Sequence, residues 1–193
     1  MIETIKYTEY DWFLWLNGHH NQFFDILMYW VTYRFTWIPL YIYIIYYLFQ
    51  NTKNRFAINL VFVLLSVGLS DRFTSGFMKP FFHRFRPCHD PAIQNLVHVV
   101  GDCGGQFGFA SSHASNSFAL VMAIYLLAKL NNWSLKLPAF LLFWAIIVSY
   151  SRIYVGVHFP TDIVVGAIVG IMITLFTYIF LKFINQKLNF SFT

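Results

Sequence analysis

Apolar residues fill four long blocks of this sequence, Ala57 to Met78, Ala114 to Leu130, Leu137 to Tyr150 and Pro160 to Phe183, and polar residues gather between them. A helix needs about 20 apolar residues to cross a bilayer, so each block reads as a membrane helix, the third a short one. Ahead of them, Phe23 to Phe49 is apolar but broken by Asp25, Arg34 and Pro39. An unpaired arginine is costly at mid-bilayer, so this stretch is expected to form an interfacial helix followed by a short span, in preference to one long kinked helix. Thr8 to Leu16, with Tyr10, Trp12, Phe13 and Trp15, has the pattern of an amphipathic helix at the headgroup level. The expected fold is all-α: a polytopic transmembrane bundle of five or six membrane helices with an N-terminal interfacial helix, one domain over residues 1–193.

Finer patterning adds contacts to this picture. Asp71, Ser75 and Lys79 recur every four residues and form a polar stripe expected to face the bundle interior, with Asp71 open to pairing with Arg72, with Arg152 or with neither. Gly166 and Gly170 form a small-x3-small pattern suited to close helix packing. Trp12, Trp15, Trp30, Trp37 and the tyrosines read as interfacial anchors.

Composition agrees with a membrane setting. Of the 193 residues 58% are hydrophobic and 11% charged, against about 25% charged in an average soluble domain. Met1 to Gly18 carries Glu3, Glu9 and Asp11 and lacks the basic region and apolar core of a removable signal peptide. Lys53 and Arg55, Lys129 and Lys136, and Lys182 and Lys187 fall in connections that alternation of the spans places on one side. The positive-inside rule makes that side cytoplasmic. The connection from Lys79 to Ser112 and the turn from Ser151 to Phe159 then share the extracytoplasmic side, as expected for a protein of the bacterial inner membrane.

Those two connections hold the chemistry. Three polar signatures stand out: Lys79 to Arg86-Pro87, Ser111-Ser112-His113, and Ser151-Arg152 followed by His158 and Asp162. Lys79, Arg86 and Arg152 are fixed cations suited to phosphoryl oxygens. A neutral imidazole attacks phosphorus where serine needs prior activation, which makes His158 the candidate nucleophile. Pro160 reads as the first residue of a helix, so Asp162 lies in its first turn, placed to hold the distal imidazole N–H of His158. His113, at the start of a span, is the candidate general acid. Ser111 and Ser112 are good N-caps, and free N–H groups at that helix start are expected to face the phosphate.

In this order and spacing, Lys-x6-Arg-Pro, Ser-x-His and Ser-Arg-x5-His-x3-Asp resemble the type 2 phosphatidic acid phosphatase superfamily, over roughly residues 60 to 175. One departure is visible, Ala110-Ser111-Ser112-His113 where the family usually has Pro-Ser-Gly-His. The serine and histidine are kept, while the backbone loses a glycine's freedom. The resemblance implies hydrolysis of a phosphate on a membrane lipid through a phosphohistidine, with no cofactor, no metal, no nucleic acid and no obligate protein partner. It offers undecaprenyl diphosphate, phosphatidylglycerol phosphate, phosphatidic acid and lipid A phosphate as substrates. Small size puts the polyprenyl diphosphate first; transfer of the phosphoryl group to a second lipid, or a non-catalytic membrane scaffold, are the alternatives.

Cys88, His89, His98 and Cys103 fall in the same long connection. Adjacent Cys88-His89 does not match the ligand spacing of structural zinc sites. A disulfide between Cys88 and Cys103, the two cysteines, is the stronger reading on an oxidising side.

Overall fold

The computed structural model describes residues 2–188, with side chains over 8–184. Lys187 of the expected cytoplasmic cluster therefore lies outside the described side chains. Eight α-helices follow in order: α1 (Ile2–Gly18), α2 (Gln22–Thr32), α3 (Ile38–Thr52), α4 (Phe56–Phe73), α5 (Lys79–Phe82), α6 (Ser112–Leu130), α7 (Lys136–Tyr154) and α8 (Pro160–Leu188). No strand occurs among the described residues.

Four stretches are long and apolar enough to cross a membrane: Arg34–Phe82, Ser112–Leu130, Lys136–Tyr154 and Pro160–Ile184. The first would extend ~74 Å as one helix, more than twice a hydrocarbon core. It folds back at Lys53, where φ is +36°. Ile44 and Leu48 of α3 then share a core with Phe62 and Val63 of α4, and the Phe49 and Phe56 rings meet at 5.4 Å. The interruption at Arg34 is a short 3-10 turn, Arg34–Trp37, that separates α2 from α3. Pro39 falls in the first turn of α3, where a missing N–H costs nothing.

The third span is not short. α7 runs through Ser151 and Arg152 to Tyr154, because Ser151 spends its hydroxyl on the Val148 carbonyl, at 2.6 Å, and so does not interrupt the apolar helix. The α4 helix continues through a π turn, Thr74–Met78, into α5. Helices α6 and α8 lie close together at the expected glycines. A Cβ on Gly166 would approach the Ser111 carbonyl to 2.5 Å, and one on Gly170 would collide with the Ser115 carbonyl.

The N-terminal helix does more than float at an interface. Its Trp12 and Trp15 point outward, but Tyr10 and Phe13 are buried against Phe159, with ring centroids 5.6 and 5.3 Å away. Asn17 donates to the carbonyls of His98 and Tyr154 at 2.9 and 2.8 Å and accepts from His98 N at 2.8 Å. Helix α1 thus clamps the long connection to the end of α7. Trp37, read from the sequence as an anchor, is half-buried: it packs edge-on against Trp144 and donates to the Val31 carbonyl at 2.8 Å.

Candidate active site

The three signatures meet at one end of the bundle. Helix α8 begins at Pro160 and buries Asp162 completely in its first turn. Asp162 Oδ2 accepts from Phe159 N at 3.0 Å and lies 3.2 Å from His158 Nδ1. The contact spans the cap, as expected, and leaves His158 Nε2 as the outward nitrogen. The Asp162 carbonyl accepts from Ser111 N at 3.0 Å, which joins the second signature to the third.

His158 is almost fully buried. Burial, with Arg152 and Arg86 beside it, pushes its imidazole well below the ordinary range. A neutral ring is therefore its resting state at pH 7.

The cations approach from three elements. Lys79, at the start of α5, donates to Ser112 Oγ at 3.1 Å, and Thr74 donates to the same oxygen at 2.9 Å. Arg86 is fixed by its backbone N–H to Gln106 O at 3.1 Å, beside the isolated bridge between Phe85 and Phe107. Its Nη1 reaches the Val157 carbonyl at 3.4 Å. Gly108 packs closely in this place: a Cβ there would meet Arg86 Cγ at 3.1 Å, Asp162 Oδ2 at 3.4 Å and His158 Nδ1 at 3.5 Å. Arg152 donates to Thr32 Oγ1 at the end of α2, and the backbone of Thr32 also bonds to the His113 ring.

Buried Nε atoms of both Arg86 and Arg152 have no hydrogen-bond partner among the described residues. Buried guanidinium N–H groups are normally satisfied. Both residues line a cavity of about 720 Å³ together with Lys79, Ser112, His113 and His158. The cavity presents clustered, under-satisfied donors to whatever enters it, and an oxyanion is the group that supplies matching acceptors. From that polar end it continues between α3 and α4 along Ile44, Leu48, Val63 and Val67.

Ser111 departs from the expected arrangement. It is fully buried, its hydroxyl caps Ala114 N at 3.5 Å and its own N–H is taken by Asp162, so it offers the cavity neither group. Ser112 alone of the pair lines the cavity.

Two residues that the spacing does not single out belong to this network. Arg84 donates to Asp162 Oδ1 at 2.9 Å, to Thr161 Oγ1 at 2.7 Å and to Glu9 Oε2 at 2.5 Å, with its guanidinium over the Phe159 ring. Glu9 of α1 also accepts from the Thr161 backbone N–H at 3.2 Å. Arg84 therefore holds the carboxylate that holds His158. The local signal was only a second arginine two residues before Arg86.

The zinc alternative loses its ligands. Cys88 and Cys103 are joined in a disulfide, with Cα atoms 6.3 Å apart. His98 instead pairs with Asp25 of α2, its Nε2 at 2.9 Å from Oδ1.

Comparison with known proteins places this geometry. The chain is 36% identical over 173 residues to a lipid A 4'-phosphatase of Bacteroides thetaiotaomicron, covering 88% of this chain and 75% of that one. It is 38% identical over 183 residues to a lipid A 4'-phosphatase of Porphyromonas gingivalis, covering 92% and 74%. A putative undecaprenyl-diphosphatase of Escherichia coli is 28% identical over 153 residues, covering 79% and 71%. The crystal structure of a transmembrane PAP2 type phosphatidylglycerolphosphate phosphatase from Bacillus subtilis shares the fold, with a TM-score of 0.69, 20% identity and coverage of 96% and 88%. The PAP2 superfamily pattern matches residues 56–186, which span all three signatures. With these signatures on one cavity inside a bundle of membrane helices, the chain belongs to the PAP2 superfamily and is an integral membrane lipid phosphatase.

Proposed function

We propose that this protein removes a phosphate from a saccharolipid of the lipid A type, with His158 as nucleophile, His113 as general acid and base, and Asp162 as the orienting carboxylate. One observation carries the reading of the site: the two buried guanidinium groups with open N–H donors line the same cavity as both histidines. Lys79, Arg86, Arg152 and Ser112 would hold the phosphoryl oxygens. His158 Nε2 forms a bond to phosphorus as the bond to the lipid oxygen breaks, and His113 gives that oxygen a proton. Water then attacks the phosphohistidine, with its proton passing to His113, and releases inorganic phosphate. Water is the one co-reactant, and no atom changes oxidation state. The charges that spread over the phosphoryl oxygens meet donors already in place.

The choice of lipid rests on the two relatives named as lipid A 4'-phosphatases, at 36% and 38% identity. The polyprenyl diphosphate expected from chain size takes second place, supported by the undecaprenyl-diphosphatase relative at 28% and by the apolar wall of the cavity. The catalytic end is proposed to face the periplasmic side of a bacterial inner membrane. Support comes from the Cys88–Cys103 disulfide at that end, which suits an oxidising compartment, and from Lys53, Arg55, Lys129, Lys136 and Lys182 at the other.

The test is phosphate release by the purified protein in nanodiscs from lipid A, undecaprenyl diphosphate, phosphatidylglycerol phosphate and phosphatidic acid, with no added acceptor. Lipid A is expected to have the highest kcat/KM, and vanadate to inhibit. Loss of phosphate from the lipid only when a second lipid is present, with the phosphate recovered on that second lipid, would establish a transferase instead, and no turnover of any of the four would leave a scaffold.

A further inference from the structure

Asp71 is the one carboxylate among the described residues that line the cavity. In a site built to attract phosphate, a carboxylate opposes the substrate's charge, so its presence needs a reason. Its partner is neither arginine: Asn116 Nδ2 donates to Asp71 Oδ1 at 2.9 Å, across from α6 to α4. Ser75 spends its hydroxyl on the Asp71 backbone carbonyl at 2.6 Å and only brushes Oδ2, at 3.5 Å. An ionised carboxylate can only accept, so the Asn116 amide turns its nitrogen to Asp71 and leaves its oxygen over. That oxygen is buried and has no partner among the described residues. Asn116 Oδ1 and the weakly engaged Asp71 Oδ2 are thus open acceptors, beside the single amide N–H of Asn116 that its bond to Asp71 leaves over.

Its depth is fixed by the helices. Asn116 follows His113 by three residues and Asp71 precedes Lys79 by eight, so the pair lies one to two turns from the phosphate cations, ~5–12 Å along the helices. Beyond it the cavity wall is Val63, Leu64, Val67 and Leu120. Along the cavity the order is cations, acceptors, hydrocarbon.

We infer that Asp71 and Asn116 form an acceptor subsite that reads hydroxyl or amide N–H donors on the sugar backbone between the phosphate and the acyl chains of the substrate. This rests on the saccharolipid reading above and adds the residues that select it. In a polyprenyl diphosphate the phosphate that is removed is followed by a second, anionic phosphate and then directly by hydrocarbon, neither of which gives the carboxylate a donor. The glycerol esters of phosphatidic acid bring further acceptors against acceptors. An acylated glucosamine brings hydroxyl and amide donors at this depth.

The experiment is a competition between two synthetic substrates, a 4-phosphoglucosamine lipid with an amide-linked acyl chain and a free 3-hydroxyl, and its 3-deoxy, N-methyl analogue. A ratio of kcat/KM values from competition does not depend on the fraction of active enzyme. The wild type is expected to favour the donor-bearing lipid by roughly 10²-fold, the scale at which a buried acceptor left unpaired is penalised. Asp71→Leu, of similar size and compatible with the apolar wall, should bring the ratio to within about 3-fold, and Asn116→Ala should lower it part of the way. If Asp71→Leu turns over neither lipid, Asp71→Ala decides by the same ratio. A wild type that hydrolyses both lipids equally, or variants that keep the wild-type ratio, would overturn the subsite while leaving the saccharolipid reading in place. Turnover of undecaprenyl diphosphate with none of either sugar lipid would overturn that reading itself.

Discussion

Two imidazoles share the cavity, and their surroundings separate their roles. His158 is buried with Nδ1 against Asp162, whereas His113 opens a membrane helix one residue after Ser112. His158→Ala is expected to abolish turnover and phosphoenzyme formation. His113→Ala should slow the reaction by ~10²–10⁴, the scale of a lost general acid, and a substrate with a good leaving group should partly restore it. Equal and unrescued losses would contradict this division. Because burial and neighbouring arginines lower the His158 pKa, the ring stays neutral as pH falls through 6.5 and is protonated only below it. After correction for ionisation of the substrate phosphate, the acid limb of kcat/KM should therefore lie below pH 6.5. A limb at or above that value that disappears with His158 replaced would refute the neutral nucleophile. Arg84 is expected to act by position. Arg84→Ala should lower kcat by roughly 10–10², as a misplaced nucleophile does, with KM little changed, Arg84→Lys recovering part, and Glu9→Gln adding little in the Arg84→Ala background. A loss confined to KM would point to direct substrate binding. Asp162 and His158 were legible because they lie four residues apart, whereas Arg84 reaches Glu9 and Asp162 across 75 and 78 residues and leaves no local spacing to read.

Among the elements, the long connection depends most on tertiary support. Residues 83–111 contain no helix longer than a single 3-10 turn and are held by the disulfide, by α1 and by the turn before α8. The disulfide joins cysteines 15 residues apart, a closure worth ~3 kcal/mol by loop entropy. Reduction or Cys88→Ser should depress activity and expose this connection to protease while the helical signal of the bundle persists. Full activity of the reduced protein would show that α1 suffices; the contact to watch is Tyr10 Oη to Asp90 Oδ2, at 2.6 Å. The membrane helices themselves were readable as blocks, but their ends were not. Ser151 and Arg152 look like a stop in an apolar block and prove to be the last turns of α7, since the Ser151 hydroxyl and the Arg152 Nη1 find partners within the bundle.

On the scale of the whole molecule, the hairpin of α3 and α4 packs with α6 and α7 to build a cavity of about 720 Å³ that no single helix encloses. Val67→Trp should fill the apolar arm, so the ratio of lipid turnover to p-nitrophenyl phosphate turnover should fall by about tenfold or more, with misfit of the added ring costing ~1–3 kcal/mol of stability. An unchanged ratio would place the acyl chains elsewhere. The sequence by itself determined the apolar helices and the identity of the phosphate-binding and histidine signatures, because hydrophobic blocks and short motifs are properties of neighbouring residues. The tertiary structure alone decided the rest. It buried Ser111 away from the cavity, tied Glu9 to Asp162 through Arg84, and set Asp71 and Asn116 facing the cavity. Each of these depends on which polar groups burial leaves to find one another, and in this chain the partners come from helices packed together across tens of residues, with a periodicity that marks a face but never names its neighbour.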